Sequence, residues 1–491
     1  MRLRALAVIL CMVAIALPIY SPSTTSNAAP AVHPNIIFIL ADDLDAKSIA
    51  VMPRLKSLMI DRGVSFANYF VTYPLCCPSR ASILRGQYPH NTQILGNRPP
   101  LGGFQKFVET GAERSTVATW LHAAGYRTGY FGKYLNGYPG GNDQTHVPPG
   151  WDTWNSPVGG RPYSNFDYRM NENGRLVNYG HRPEDYMTDV LARKAVAFIR
   201  QSAQMNRSFF IHLSTFTPHA PATPAPRHAN AFAGVTAPRP PSFNEADLSD
   251  KPSWLRSRNL LTDRQISRID DLHRKRLQTL LSVDDLIGTL VDALGATGQP
   301  QGTYIFFSSD NGFHLGEHRL PQGKNTAFEE DIRVPLIVFG PGVPAGRTVE
   351  LLAMNIDLAP TWVAIAGVSP PSFVDGRSLL PVLSAAPPGQ DRWRQMVLIE
   401  HYTPARAGRT TRAAAIPEYH ALRVKDFSYV EYATGERELY DLRRDPYQLQ
   451  NIHQNADQRL VSELSARLAA IKRCAGATCR NVEDSAVSSR E

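Results

Sequence analysis

The stretch His33-Pro34-Asn35-Ile36-Ile37-Phe38-Ile39-Leu40-Ala41-Asp42-Asp43 decides the fold class of this chain. Its run of consecutive apolar residues, bounded by turn-forming residues, is typical of a strand that is buried on both faces of a parallel sheet. Similar apolar runs follow at 209–213, 303–309 and 334–339, and segments with helical spacing lie at 53–62, 185–201 and 262–295. This alternation predicts an α/β fold with a large, mostly parallel central sheet flanked by helices.

Oxygen-bearing side chains follow two of these strands. Asp42 and Asp43 end the first run, and Asp310-Asn311 follow the strand at 303–309. Taken alone, each aspartate could simply form a turn or cap a helix. Because open α/β sheets bind ligands at the carboxyl ends of their strands, we expect these side chains to meet. Such hard oxygen donors favour Ca²⁺ or Mg²⁺, so the sequence predicts a metal site there.

Cationic side chains lie in loops near the same predicted edge of the sheet. Lys133 follows a short strand at 126–131, His219 lies between prolines after the strand at 209–213, and Lys324 lies beyond Asp310. A single lysine in a loop is usually a surface residue, and a single histidine is usually structural. Around a metal-bound anion they would form a binding site. By contrast, Arg274-Lys275-Arg276 are expected on a solvated helix face.

The run Cys76-Cys77-Pro78-Ser79-Arg80-Ala81-Ser82-Ile83-Leu84-Arg85-Gly86 places a thiol and an arginine at the predicted start of a helix. A thiol in such a position can become a nucleophile, because nearby positive charge lowers its pKa. The alternative is two buried cysteines beside a helix, since short motifs often match by chance. Cys474 and Cys479 are close in sequence, and we expect a local disulfide between them.

The first residues have the features of a secretory signal peptide. Arg2 and Arg4 precede an apolar run over 5–19, and small residues follow at 26–29. The run is short for a membrane-spanning helix of about 20 residues. We therefore predict a secreted, periplasmic or cell-envelope protein with no stable membrane span after cleavage, with a retained anchor as the alternative. The net charge of +8 suits an anionic substrate. Because basic residues are not gathered in one tract, we expect no nucleic-acid partner.

The pattern changes near residue 390. Short alternating segments predict a small antiparallel sheet, followed by a helix around 461–472. We therefore predict a signal peptide at 1–29, a catalytic α/β domain at 30–389, an antiparallel-sheet subdomain with a helix at 390–480 and a flexible tail at 481–491.

The chain resembles the type I sulfatases, in which the active-site cysteine is oxidised to Cα-formylglycine (3-oxoalanine). It is most similar to the N-acetylglucosamine-6-sulfatases and the related extracellular heparan endosulfatases. The matching motifs are Cys76–Leu84, Gly132–Asn136, Leu280–Leu286, Asp310-Asn311-Gly312-x-His314 and Glu438–Pro446. This resemblance covers nearly the whole mature chain. It implies an alkaline-phosphatase-like sandwich with a small C-terminal antiparallel sheet and helix.

The resemblance also implies a role for each candidate residue. Asp42, Asp43, Asp310 and Asn311 would hold Ca²⁺, with Mg²⁺ as the alternative, and position 76 would face the ion. A formylglycine-generating enzyme would convert Cys76, and the hydrated aldehyde would attack a sulfate ester with one hydroxyl and expel sulfate with the other. The remaining roles are a contact to the diol from Arg80, a contact to the sulfate from Lys133, and assistance to the leaving oxygen from Lys324 and His219. Many sulfatases have a histidine where this chain has Leu135, so we assign the base for sulfate release to His314.

The expected function is an exported sulfatase that acts on the 6-O-sulfate of N-acetylglucosamine or glycosaminoglycan-type sugars. An arylsulfatase or a phosphonate/phosphodiester hydrolase of the same superfamily is one alternative. A second alternative is an inactive sulfated-glycan-binding protein. In that case Cys76 would stay unmodified because Arg85, which stands where the family has threonine, spoils recognition by the maturation enzyme.

Overall fold

The opening apolar run forms the middle of a large sheet. The computed structural model describes residues 33–141, 143–403 and 415–485, so the signal peptide predicted at 1–29 lies outside the described residues. Asn35–Ala41 is the first strand, β1, and every residue in it is buried. The strands that follow are β2 Val64–Phe66, β3 Tyr69–Phe70, β4 Arg127–Gly132, β5 Thr153–Gly160, β6 Tyr168–Glu172, β7 Arg175–Tyr179, β8 Phe209–Ser214, β9 Thr303–Ser309, β10 Leu336–Phe339, β11 Arg347–Val349, β12 Ala353–Met354, β13 Met396–His401, β14 Tyr419–Val424, β15 Phe427–Tyr432 and β16 Arg437–Asp441.

Ten of these strands form the central sheet, in the order β11-β2-β10-β9-β1-β8-β4-β5-β6-β7. The strands β9, β1, β8, β4 and β5 at its centre run parallel to one another. The strand β10 pairs antiparallel with both of its neighbours, and β5, β6 and β7 form an antiparallel edge. The carboxyl ends of β9, β1, β8 and β4 therefore lie side by side, which is where the candidate residues were predicted to meet.

Helices cover both faces of this sheet. The helices of the described residues are α1 Pro53–Leu55, α2 Cys76–Arg85, α3 Pro89–Thr92, α4 Gly103–Glu109, α5 Val117–Ala123, α6 Met187–Gln204, α7 Ser253–Arg256, α8 Asp263–Ala296, α9 Glu329–Ile332, α10 Leu358–Ile365, α11 Leu380–Leu383, α12 Gln458–Ile471 and α13 Ala477–Glu483. Of these, α7, α12 and α13 pack instead in a cluster with the C-terminal strands. A π-helical turn, Lys56–Ile60, continues α1. Phe38 of β1 packs with α2, α5 and α10 on one face, while Ile37 packs with α6 and α8 on the other. This alternation follows from the two-residue period of a strand.

The long helix α8 has a clear start. The Thr262 side chain accepts a hydrogen bond from the Gln265 backbone N–H, and Gln265 Oε1 accepts one from the Thr262 backbone N–H. Such a capping box satisfies backbone donors that a helix leaves unpaired. Among the described residues, no helix combines the length and the hydropathy needed to cross a bilayer.

The C-terminal part forms a second sheet, β13-β14-β15-β16, with antiparallel neighbours. The predicted α/β fold with a small antiparallel sheet and a helix is thus confirmed. The boundary proposed at residue 390 remains a prediction, because one hydrophobic cluster contains both Met354 and Leu398. The Cys474 and Cys479 sulfurs are bonded, at 2.04 Å.

The segment predicted as a flexible tail, 481–491, begins with residues of a packed helix, and its last part, 486–491, lies outside the described residues. We placed its start at Asn481, but α13 continues to Glu483, whose side chain is fully buried. Arg394 Nε donates to Glu483 Oε2 over 2.8 Å, and the Tyr88 hydroxyl donates to Glu483 Oε1 over 2.5 Å. A buried carboxylate held by a buried guanidinium fixes this turn, which the local sequence did not indicate.

Candidate active site

The helix α2 begins at the predicted nucleophile. Cys76 is its first residue, and Asn97 Oδ1 accepts a hydrogen bond from the Cys77 backbone N–H over 2.9 Å. Gly86 ends the helix with φ = 64°, a conformation that glycine adopts without strain. Both Cys76 and Cys77 are buried thiols. The helix start therefore presents the Cys76 sulfur beneath the carboxyl ends of the parallel strands.

The acidic residues meet around this sulfur. Asp42 Oδ1 lies 3.7 Å from Cys76 Sγ. The Asp43 backbone N–H donates to Asp310 Oδ1 over 3.0 Å, and Asn311 Nδ2 donates to Asp43 Oδ1 over 2.8 Å. The structure thus brings together two strand ends that are more than 260 residues apart, because β1 and β9 are neighbours.

The predicted cations reach the same cluster. Lys133 Nζ contacts Asp42 Oδ2 at 2.5 Å. Lys324 Nζ donates to Cys76 Sγ over 2.7 Å and also contacts Asp43 Oδ1. Arg80 Nε donates to Asp310 Oδ2 over 2.8 Å. Asp42, Asp43, Asp310 and Asn311 therefore lie in one site, whose positive charge is supplied by residues from two separate loops and one helix.

Burial and charge oppose each other in this cluster. Burial raises the pKa of Asp42, but Lys133, His219 and Arg80 together hold that pKa far below its usual range. Burial also acts to raise the pKa of Asp43, but the attraction of the neighbouring Lys324 ammonium is part of a larger opposing effect, and the pKa is lowered. Burial raises the pKa of Asp310. Burial also raises the pKa of the Cys76 thiol to about 11, so the unmodified sulfur is protonated near neutral pH.

The donor set fits a hard divalent cation. Ligand atoms of Asp42, Asp43, Cys76 and His219 all lie within 4.8 Å of one another. Two further oxygen-bearing residues, Asp310 and Asn311, directly contact Asp43. Carboxylate and amide oxygens in such number are the ligands that Ca²⁺ and Mg²⁺ prefer over soft metals.

The two histidine candidates differ in position. His219 Nε2 lies 3.5 Å from Asp43 Oδ2, within the cluster, while its Nδ1 contacts the Ala220 carbonyl oxygen at 2.6 Å. His314 Nδ1 contacts Asp331 Oδ1 at 2.9 Å, and its backbone pairs with Gly323, the residue before Lys324. His314 is thus held next to the Lys324 loop, and its assignment as base remains a prediction.

Three supporting residues were missed or misplaced by the sequence reasoning. Ser214 Oγ accepts a hydrogen bond from Arg80 Nη1 over 2.5 Å. Arg276, expected on a solvated face, is fully buried and donates to the Asp43 carbonyl oxygen over 2.6 Å. Tyr163 lies with its ring centroid 5.2 Å from Lys133 Nζ. A signal was available only for Arg276, because the helical spacing of α8 places it in line with the buried Leu280 and Val283.

Arg85 has a structural role at the end of α2. Its Nη1 donates to the Ala112 and Ser115 carbonyl oxygens over 2.9 and 2.6 Å, and its guanidinium lies 4.4 Å from the Phe373 ring centroid. A cation in the last turn also suits the helix dipole. The departure from the family threonine is therefore accommodated by the folded protein.

Comparison with known proteins agrees with this geometry. Residues 34–368 match the family model described as Sulfatase, and residues 316–474 match the model of the C-terminal part of N-sulphoglucosamine sulphohydrolase. The chain is 36% identical to an N-acetylglucosamine-6-sulfatase of Capra hircus, over 91% of this chain and 85% of the relative. It is 38% identical to the Extracellular sulfatase SULF-1 homolog of Drosophila melanogaster, over 81% of this chain and 35% of that protein.

Solved structures show the same fold. A protein in complex with its substrate D-glucosamine-2-N,6-O-disulfate has a TM-score of 0.77 and 25% identity, covering 92% of this chain and 99% of that one. The phosphonate monoester hydrolase of Silicibacter pomeroyi has a TM-score of 0.70 and 25% identity, covering 89% and 94%. The predicted resemblance is confirmed: this chain belongs to the sulfatase family and is a sulfuric ester hydrolase.

Proposed function

We propose that this sulfatase is exported and removes the 6-O-sulfate of N-acetylglucosamine or related glycosaminoglycan sugars, using formylglycine at position 76 and Ca²⁺. The observation that carries the proposal is the contact of Lys324 with both Cys76 and Asp43, inside a cluster of buried carboxylates. The N-acetylglucosamine-6-sulfatase relative supports the substrate. The Cys474–Cys479 disulfide suits an oxidising compartment, which supports export.

The residues that would hold Ca²⁺ are Asp42, Asp43, Asp310 and Asn311, with position 76 facing them. When bound, the ion supplies charge that polarises sulfate oxygens and acidifies a nearby hydroxyl. Formylglycine at position 76 would supply a hydrated aldehyde with two hydroxyls on one carbon, one to attack the sulfur and one to allow release of sulfate, which a thiol does not offer. Arg80, fixed by Asp310 and Ser214, orients position 76 from within α2.

The cations of this chain bind and orient the sulfate ester. Lys133 is buried beside Asp42, so its ammonium can contact a sulfate oxygen without first losing a full hydration shell. Lys324 Nζ contacts the side chain at position 76 and stabilises the negative charge that develops during transfer of the sulfate group. His219 directs Nε2 into the cluster, and in its protonated form it can donate that proton to the leaving oxygen.

We propose His314 as the base that takes a proton during sulfate release. Its contact with Asp331 orients the imidazole, and such a carboxylate stabilises an imidazolium. If His314→Ala leaves both turnover and sulfate release unchanged, the base must be another group.

A second candidate activity is hydrolysis of phosphonate monoesters or phosphodiesters. It is favoured by the structural likeness to a phosphonate monoester hydrolase and by a cluster that would accept any tetrahedral anion. Comparing a sulfate ester and a phosphonate ester of the same phenol would decide between them. A higher kcat/KM for the phosphonate ester would overturn the sulfatase preference.

The deciding experiment is the mass of the tryptic peptide that contains Cys76, followed by sulfate release from N-acetylglucosamine 6-sulfate. In protein from its own host, we expect a loss of about 18 Da relative to the unmodified thiol. Ordinary cysteine oxidation to sulfenic, sulfinic or sulfonic acid adds oxygen and does not produce this loss. We also expect the 6-sulfate to be hydrolysed faster than the 3-sulfate. An alkylatable thiol in every preparation, together with tight binding of sulfated glycans, would instead support the inactive glycan-binding alternative.

A further inference from the structure

Arg276 of α8 contacts the loops that carry the proposed metal site. Its side chain is fully buried, and its guanidinium reaches the segments that follow β1, β8 and β9. We propose that Arg276 is a positioning residue, which fixes the backbone of Asp43 and thereby sets how tightly the site binds Ca²⁺. This inference rests on the proposed function, because it takes Asp43 as a ligand of the ion, and it adds a residue outside the ligand set that controls the affinity.

Three contacts join Arg276 to these loops. Its Nη2 donates to the Asp43 carbonyl oxygen over 2.6 Å, and its Nη1 donates to the Pro218 carbonyl oxygen over 3.4 Å. The guanidinium carbon lies 4.3 Å from the centroid of the Phe313 ring. These contacts lie at or within two positions of three site residues, Asp43, His219 and Asn311. One guanidinium therefore links the three loops to a single helix.

The backbone of Asp43 needs such support. Its φ is 65°, in the left-handed region that is uncommon for residues with a side chain. Such a conformation persists where the surrounding contacts determine it. Both polar backbone groups of Asp43 are held, since the N–H donates to Asp310 Oδ1 over 3.0 Å and the carbonyl oxygen accepts from Arg276. Because the backbone conformation sets the direction of the side chain, loss of the Arg276 contact should let the Asp43 carboxylate turn away from the site.

The charge balance around Arg276 favours positioning over stability. Its only ion pair among the described residues is with Asp45 Oδ2 at 3.2 Å, and the Asp45 side chain is partly exposed. Arg276 Nε is buried without a hydrogen-bond partner in the described part of the chain. Burial of a guanidinium with so little compensation costs free energy, and an apolar side chain of similar volume is often at least as stabilising. What an apolar residue could not supply is the pair of hydrogen bonds to the loop carbonyl oxygens.

The helix α8 is a suitable base for this role. It runs over Asp263–Ala296, its start is fixed by the Thr262 capping box, and its Leu280 and Val283 pack in the same cluster as Ile37 of β1. Functional groups are held more precisely by helices and strands than by loops. Replacement of a residue that orients metal ligands from behind typically changes metal affinity by about 10–100-fold. A change at Arg276 should therefore be measurable in the affinity for Ca²⁺.

The first test is the Kd of Arg276→Lys for Ca²⁺, measured by titration calorimetry on protein freed of metal with a chelator. Lysine keeps the charge but lacks the planar fork that reaches two carbonyl oxygens. We expect the Kd to rise about tenfold or more, and turnover of N-acetylglucosamine 6-sulfate to recover toward wild type as calcium is raised. Arg268→Lys, the same change at an exposed position of α8, is the matched control and should behave like wild type. An unchanged Kd, or lost turnover that calcium does not restore, overturns the proposal.

Amide hydrogen exchange of the metal-free protein separates this inference from the proposed function. In Arg276→Lys, we expect a peptide that covers Asp43 to exchange about tenfold faster than in wild type, while peptides from β13 to β16 keep their wild-type rates. Should Arg276→Lys not fold, Arg276→Gln, which keeps one donor and removes the charge, takes its place with the same expectations. If the wild-type protein binds no Ca²⁺, the proposed calcium site fails, and exchange alone decides whether Arg276 fixes Asp43. Exchange at Asp43 equal to wild type, or an equal acceleration throughout the chain, contradicts the positioning role.

Discussion

Lys324 Nζ lies 2.7 Å from Cys76 Sγ, although 248 positions separate the two residues in the chain. The same ammonium contacts Asp43 Oδ1 and lies 3.4 Å from Asn311 Oδ1. One lysine thus touches the position of the proposed nucleophile and two of the proposed metal ligands. Burial nevertheless raises the pKa of the Cys76 thiol to about 11, because desolvation of the thiolate outweighs the attraction of Lys133 and Lys324.

The unmodified Cys76 thiol should react slowly with iodoacetamide at neutral pH and faster as the pH approaches 11. Lys324→Met should move the midpoint of this profile upward and reduce alkylation at pH 8 about tenfold, since a pKa shift of one unit changes the thiolate population tenfold. The rate is measured on protein made without the maturation enzyme, in a Cys77→Ala background. A midpoint that does not move would show that Lys324 does not stabilise the thiolate.

Calcium should stabilise the protein through Asp43. Ligand at about 100 times its Kd stabilises a folded protein by about 2.7 kcal/mol, which calorimetry detects as a higher Tm. We expect this increase for wild type, its loss with a chelator, and little increase for Asp43→Asn. Asp61→Asn, which alters an exposed carboxylate paired with Lys56, is the control. An equal calcium response in Asp43→Asn would place the ion elsewhere.

Glu330 should make stability fall as the pH rises. Burial, followed by repulsion from Glu317, raises the pKa of Glu330 from 4.5 to about 8. The folded state holds this proton more tightly than the unfolded state. The contribution of Glu330 to the free energy of unfolding is therefore fully present below pH 4.5 and is lost as the pH rises through about 8.

Glu330→Gln should therefore flatten the dependence of unfolding free energy on pH, with a gain of about 1–3 kcal/mol at pH 8.5 relative to pH 5. Urea unfolding at the two pH values measures it. Glu109→Gln, a change at an exposed helical glutamate, should leave the slope unchanged. A Glu330→Gln slope equal to that of wild type would refute the raised pKa.

Removal of the Glu483 carboxylate should destabilise the protein. Arg394 is fully buried and ion-paired with both Asp357 and Glu483. The substitution Glu483→Gln removes one of the two carboxylates that neutralise the buried Arg394 guanidinium. We expect a loss of about 3–5 kcal/mol in unfolding free energy. Asp484→Asn, at the adjacent half-exposed position, should cost less than about 0.5 kcal/mol. Similar effects of the two substitutions would mean that α13 is held by other contacts.

Much of the site was predictable because it lies at strand ends. Asp42, Asp43, Asp310 and Asn311 follow apolar runs that only a buried strand explains, and parallel strands bring their carboxyl ends to one edge. Lys133 and His219 also lie in loops that follow parallel strands, whereas Lys324 lies far along the loop between β9 and α9, where no strand end indicates its position. The burial of Arg276 could have been read from its helical spacing with Leu280 and Val283, but its contact with the Asp43 carbonyl oxygen and the contact between Ser214 and Arg80 were not predictable, because each depends on which helix or strand packs against a neighbour.

The sequence by itself determined the α/β class, the strand-end placement of the acidic residues and the sulfatase motif from Cys76 onward, since these depend on local periodicity and residue type. Tertiary structure alone decided that β10 runs antiparallel to β9, that Glu483 is buried against Arg394 and that Tyr163 lies over Lys133. These features depend on contacts between residues distant in the chain, whose free energies arise only when the sheet and its helices have packed together.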